Sequence, residues 1–240
     1  MSWKKIWNQK TSTLDFSCSQ DEQILQELLF LNGFDTKSGS LKLQDYRDFV
    51  QEIFIQAKLK DYTSIFEVGC GAGAFLFALN LVGGGGSFKS IGGMDYAKNL
   101  ILYAREVFPQ FQDNFYHQDA RYLEKIDSVD VMCTFSVMHY FSDLEYAGFV
   151  MEQMFQKAKK CVLFLDVLDF LKKSQDIEKK RQLYGQEYEK MYGNLPHLYY
   201  RKEMFLKMAK RYGFVCKIQD QNIKNYLNSE FRFNVIATKE

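Results

Sequence analysis

The chain has 240 residues, 47% hydrophobic and 25% charged, with a formal net charge of +1 at pH 7. That composition suits one globular domain with elaborations, and so even a charge gives no electrostatic footprint for nucleic-acid binding. No apolar run has the length of a signal peptide or a membrane span, and the five scattered cysteines (Cys18, Cys70, Cys133, Cys161 and Cys216) form no C-x-x-C pair. A cytoplasmic protein without a disulfide framework or zinc site is expected.

Residues 1–60 read as helical. Asp21 to Leu31 repeats leucines at helical spacing and runs into Asn32-Gly33, a C-cap signal, and a second helix is expected over 43–59, after the turn Asp35-Thr-Lys-Ser-Gly39. Trp3, Trp7, Phe34 and Tyr46 fall at intervals that suit packing as well as facing a ligand. From Ser64 the pattern changes to alternating strands and helices, which implies a parallel sheet with right-handed crossovers. Strands are expected over 64–68, 90–94, 114–118, 129–135, 161–167, 214–221 and 231–238, with helices over 74–81, 98–108, 144–159 and 200–212. Gly83 to Gly86 reads as a flexible loop on the edge away from any cofactor. The charged stretch from Lys172 to Tyr192 breaks the alternation. An insertion after the fifth strand lies over the carboxyl ends of the strands, so residues 170–199 are expected to cap the substrate side.

The chemistry centres on Ser64-Ile-Phe-Glu-Val-Gly-Cys-Gly-Ala-Gly-Ala-Phe75. Without Cβ atoms, Gly69, Gly71 and Gly73 let the backbone turn tightly and lie directly against a ligand. The helix that follows points its free N–H groups at the same loop. By spacing alone Gly69, Gly71 and Ala74 satisfy the dinucleotide fingerprint, which keeps a nicotinamide-dependent oxidoreductase open, although no Tyr-x-x-x-Lys proton relay accompanies it. A non-catalytic cofactor-binding protein is a third reading. Glu67 before the first glycine, and a third glycine two residues after the second, favour another assignment. Glu-Val-Gly-Cys-Gly-Ala-Gly resembles the first motif of the class I S-adenosylmethionine-dependent methyltransferases.

That resemblance implies a Rossmann-like, doubly wound seven-stranded sheet, mostly parallel with an antiparallel last strand. It also implies an N-terminal helical lid (1–60) ahead of the methyltransferase domain (61–240). Ala209-Lys-Arg-Tyr-Gly-Phe214 followed by two strands is similar to the way the family ends. S-adenosyl-L-methionine is the implied cofactor, met by Glu67, Gly69, Cys70, Gly71 and Gly73. Asp95, with Tyr96 beside it, would take the ribose hydroxyls, Asp119 and Ala120 the adenine, and Phe135 and Ser136 the remaining cofactor edge. Thr134-Phe-Ser-Val-Met-His-Tyr-Phe-Ser-Asp143 resembles the fourth-strand motif of small-molecule methyltransferases. The Asn/Asp-Pro-Pro-aromatic tetrad of base-methylating enzymes is absent.

No metal is expected. Asp166 and Asp169 have no obvious third partner and read as one cofactor-side and one cap residue. His139 at the pocket mouth is the candidate base for a hydroxyl acceptor, and His197 in Pro196-His-Leu-Tyr-Tyr-Arg201 is the second. Tyr140, Tyr199, Tyr200 and Arg201 are expected on the acceptor, and His117 is expected to be mid-strand and structural. Leu31-Asn-Gly-Phe-Asp35 and Phe231-Arg-Phe-Asn234 resemble methyltransferases of bacterial surface-polysaccharide and secondary-metabolite pathways. O-methylation of a sugar or related precursor by a monomer or homodimer, with no nucleic-acid or membrane partner, is the resulting expectation.

Overall fold

In the computed structural model, which describes residues 2–34, 41–193 and 195–239, five apolar segments pair in parallel. They are β1 (Ser64–Val68), β2 (Ser90–Asp95), β3 (Phe115–His117), β4 (Val129–Phe135) and β5 (Ala158–Leu168). Two further strands, β6 (Val215–Asp220) and β7 (Arg232–Thr238), complete a seven-stranded sheet of order β3-β2-β1-β4-β5-β7-β6, with β7 antiparallel to both neighbours. This is the doubly wound sheet that the resemblance implies. The expected turn at 35–39 falls outside the described residues.

β4 reads as continuous apolar sequence because both its faces are buried. Val131, Cys133 and Phe135 point to one face, and Met132 points to the other. The first face is covered by α2 (Asp21–Leu31), α3 (Leu43–Gln56), α4 (Ala74–Val82) and α5 (Lys98–Val107). The second is covered by α6 (Leu144–Lys157) and α9 (Lys202–Arg211). Leu25, Leu28, Leu29, Tyr46, Val50 and Ile53 belong to the same buried cluster as the sheet, so α2 and α3 are part of the core rather than of the lid expected over 1–60. The short α1 (Trp3–Asn8) buries no residue fully. It is tied to the start of α5, where Asn8 Oδ1 accepts from the Lys98 N–H at 3.0 Å and the Asn8 carbonyl accepts from Asn99 Nδ2 at 2.7 Å.

Several boundaries move. β3 keeps three residues because Asn114 closes the preceding 3₁₀ turn, with its amide reaching the Ile91 carbonyl at 3.2 Å. His117 is therefore the exposed last residue of an edge strand, its Nε2 3.2 Å from the Tyr96 carbonyl, and is not mid-strand. The charged insertion folds as α7 (Lys173–Tyr184) and α8 (Glu187–Tyr192), broken at Gly185 with φ 51°.

Candidate functional site

The connections run from β1 outward to β3 and then return past β1 to β4, so the carboxyl ends of β1 and β4 flank the topological switch point, where open α/β sheets bind ligands. A cavity of about 290 Å³ opens there, lined by Gly69, Gly71, Asp95, Asp119, Ser136 and Tyr140 among others, with Trp3 and Trp7 of α1 across its mouth.

The glycine loop is built by close approach. Gly69, Gly71 and Gly73 have φ of 73°, 55° and 85°, the left-handed region that side chains avoid. The Gly69 and Cys70 N–H groups both donate to the Met94 carbonyl, at 2.7 and 3.0 Å, which joins the loop to the end of β2. A Cβ on Gly71 would collide with the amide of Asn32. That amide holds the loop: Oδ1 accepts from the Ala72 N–H at 2.7 Å, and Nδ2 donates to the Cys70 carbonyl at 3.1 Å. In the sequence nothing marks Asn32 as a clamp on this loop, since its partners lie 38 and 40 residues away.

Asp95 grips the loop from the other side. Oδ2 accepts from the Gly71 N–H at 3.0 Å, and Oδ1 accepts from the Ala97 N–H at 2.7 Å. Burial pushes its carboxyl up to about 6 against the downward pull of these backbone donors. Each oxygen keeps further acceptor capacity toward the cavity it lines. Asp119 caps the turn Ala120–Lys125 by accepting from the Arg121 N–H at 3.0 Å, and it also takes the Tyr146 hydroxyl at 2.8 Å. Burial would raise its carboxyl, but the hydrogen bonds from Arg121 and Tyr146 outweigh it and hold Asp119 low.

Gly69, Gly71, Asp95, Tyr96, Asp119, Ala120, Phe135, Ser136 and Tyr140 all line the cavity, whereas Glu67, Cys70 and Gly73 do not. Alternation along β1 turns the Glu67 side chain into the sheet face away from Phe66 and Val68, where burial and then the Asp95 charge push its carboxyl well up. The buried Cys70 packs against Gly93, and Gly73 packs against the Phe108 ring. Phe135 is fixed by rings: Phe75 and Phe34 stack on it at 5.3 and 5.4 Å. Ser136, just past β4, has φ 56°, and Asp166, at the irregularity of β5, has φ 62°. Non-glycine residues held in this region store strain of the kind found at functional sites.

The acceptor-side expectations need correction. Tyr200 is a core residue, fully buried, with its hydroxyl donating to the Met138 carbonyl at 2.7 Å. Tyr199 is buried with its hydroxyl on Asp176, and exposed Arg201 lies over the Phe170 ring at 4.2 Å. None of the three lines the cavity. Asp166 is not at the cofactor edge but is buried in an ion pair with Arg232, and it also accepts from Gln221. Asp169 caps the turn Phe170–Lys172 through the Leu171 N–H at 2.9 Å. Among the described residues no group of three His, Cys, Asp or Glu is arranged to hold a metal.

His139 and His197 are brought together, but behind the mouth. His139 is buried in the turn Met138–Tyr140, its ring 4.1 Å from Tyr140 and 4.9 Å from His197, and its carbonyl accepts from the Leu198 N–H at 3.0 Å. Trp3 of α1 stacks on His197 at 5.2 Å and meets Tyr140 edge-on at 4.8 Å. Burial, reinforced by Arg232 and Lys180, holds both imidazoles well below the ordinary histidine range, so both are neutral. Neither lines the cavity directly, and Tyr140 joins them to it.

A family model described as a methyltransferase domain matches residues 59–213, from the turn before β1 into the loop after α9. The chain belongs to this family and is an S-adenosylmethionine-dependent methyltransferase. No curated protein sequence matches it. Similar solved structures include magnesium protoporphyrin IX methyltransferase from Synechocystis PCC 6803 with bound SAH (TM-score 0.57, 12% identity, 92% of this chain and 100% of that one). Another is the N-methyltransferase NodS from Bradyrhizobium japonicum WM9 in complex with S-adenosyl-L-homocysteine (0.59, 12%, 92% and 99%). A third is CalS10, an amino pentose methyltransferase from Micromonospora echinaspora (0.57, 11%, 81% and 92%). At these identities the likeness is one of fold. Among the described residues no helix is long and apolar enough to cross a membrane.

Proposed function

We propose that the chain methylates a hydroxyl of a small polar acceptor, a sugar or a related polysaccharide or metabolite precursor. The cofactor's ribose hydroxyls donate to Asp95, its adenine lies by Asp119 and Ala120, and its remaining edge runs along Phe135 and Ser136. The observation that supports the cofactor placement is Asp95: a half-buried carboxylate lining the cavity beside the glycine loop, oriented by two backbone donors and with acceptor capacity left over. Bound S-adenosylmethionine supplies an electrophilic methyl group on a sulfonium. The protein's part is then to hold the acceptor in line and take its proton. His139 is the base in this reading: its ring is neutral, and Tyr140, 4.1 Å from it, stands between it and the cavity, although the burial that keeps it neutral also weakens its hold on a proton. α1 acts as the lid, and α7 with α8 as the acceptor-side cap.

Calorimetry of the whole chain with S-adenosylhomocysteine and, separately, with NAD tests the cofactor placement. Binding of the first and not the second is expected, and the reverse result refutes the reading. Methyl transfer should persist in excess chelator. Loss of activity that added magnesium restores would show that carboxylates such as Asp166 and Asp169 had been misassigned.

A further inference from the structure

α7 is docked the wrong way round for a stabilising helix. Its buried residues are Asp176 and Lys180, whereas Leu183 is 58% exposed. A surface helix ordinarily buries its apolar stripe, so a helix that turns an acid and a base inward gains little from packing there. The groups it meets are equally polar. Asp176 Oδ2 accepts from Lys180 Nζ at 2.7 Å and from the Tyr199 hydroxyl, while Arg232 pairs with Asp166 and with its carbonyl. Five buried atoms around these pairs have no hydrogen-bond partner among the described residues: Asp176 Oδ1, Gln221 Oε1, Arg232 Nε, His139 Nδ1 and His197 Nε2. Each such atom costs free energy unless a ligand or water group pairs with it. The Arg232 and Lys180 charges act on both imidazoles, and those imidazoles touch Tyr140 of the cofactor cavity at 4.1 and 5.4 Å, so the set borders the site of chemistry.

We propose that this cluster is the acceptor subsite and that it takes an uncharged polyhydroxylated molecule, a sugar or cyclitol ring bearing neither phosphate, carboxylate nor amine. The proposal rests on the methyltransferase reading above and deepens it. Its charge argument is direct. Arg232 is matched by Asp166 and Lys180 by Asp176. An anionic acceptor would therefore face two carboxylates, and a cationic one would face a guanidinium and an ammonium. The unpartnered atoms include acceptors (Asp176, Gln221), a donor (Arg232) and two imidazole nitrogens whose role follows the tautomer. Hydroxyls, each both donor and acceptor, satisfy such a mixture. The aromatic walls, with Tyr192 and Trp3 at 5.3 and 5.2 Å from the His197 ring, suit the apolar face of a sugar.

The test is saturation-transfer NMR on the full chain loaded with S-adenosylhomocysteine. The probes are the methyl α-glycosides of glucose, galactose and mannose and myo-inositol, set against glucose 6-phosphate, glucuronate and glucosamine. At least one neutral probe should bind, with the charged ones at least tenfold weaker, and Asp176→Asn should weaken the neutral probe at least tenfold while the S-adenosylhomocysteine Kd stays within twofold. Tighter binding of a charged probe, or no neutral binding to a chain that holds S-adenosylhomocysteine, overturns the proposal. Failure to hold S-adenosylhomocysteine would instead remove the cofactor reading and this proposal with it. His197→Phe guards against a variant that merely unfolds. It keeps a ring on Trp3 and removes an unpartnered nitrogen, so neutral-probe binding should fall while the melting temperature holds or rises. A drop of several degrees would assign the cluster to the fold and overturn the proposal.

Discussion

Replacing Asp95 by Asn tests the cofactor site because it separates charge from shape. In the protein the two carboxylate oxygens each accept one backbone N–H, at 3.0 Å from Gly71 and 2.7 Å from Ala97. The ligand hydroxyls would add one charge-assisted hydrogen bond to each oxygen. At roughly 1.5–3 kcal/mol apiece, and ~1.4 kcal/mol per decade of affinity, losing even one of them weakens binding at least tenfold. The amide keeps one acceptor oxygen but turns an N–H₂ toward a backbone donor and a ligand donor, so the loss exceeds that floor.

Proton linkage adds a signature that simple loop damage lacks. Burial pushes Asp95 from its ordinary 3.8 up to about 6. A raised carboxyl contributes stability that is fully present below about 4 and is lost as pH rises through about 6. The interval from 3.8 to about 6, at ~1.36 kcal/mol per pH unit, corresponds to about 3 kcal/mol, so the unliganded protein at pH 7 carries a strained charge that ligand hydroxyls relieve. Calorimetry with S-adenosylhomocysteine should therefore show wild-type affinity constant above pH 7 and weakening below about 6. Asp95→Asn should be weaker at pH 7 and flat across the same range. Equal affinity of the two proteins at pH 7.5, with unchanged circular dichroism, would refute the placement of the ribose on Asp95.

Asn32→Ala removes two hydrogen bonds to the glycine loop, worth together ~2 kcal/mol. It should lower the melting temperature by roughly 4–8 °C and weaken S-adenosylhomocysteine binding, and differential scanning calorimetry that finds no change would dismiss the clamp. The two tryptophans, Trp3 and Trp7, both line the cavity, so saturating S-adenosylhomocysteine should shift intrinsic emission, and an unaltered spectrum would place α1 elsewhere in solution. Because burial holds His139 and His197 neutral, the turnover number should show no limb at the ordinary histidine value of ~6.5. A limb with its midpoint there, abolished by His139→Gln, would contradict the buried geometry.

The glycine loop, the strand that feeds it, the acid ending β2 and the order of strands and helices were legible in the chain because they are local. Period-two and period-3.6 apolar patterns and alternating glycines act over a few residues. The sequence pattern also suggested a cap after β5, but its polarity hid the fact that Asp176 and Lys180 face inward. What only the tertiary structure decided are the pairings across long separations. Asn32 reaches a loop 38–40 residues on, and Arg232 meets Asp166 across 66, a partnership possible only because β7 inserts beside β5. His139 has the composition of an exposed base at a pocket mouth, yet the segment around Leu198 and the aromatic face of α1 cover it. No window of sequence around residue 139 carries that information, because burial is set by the elements packed against it.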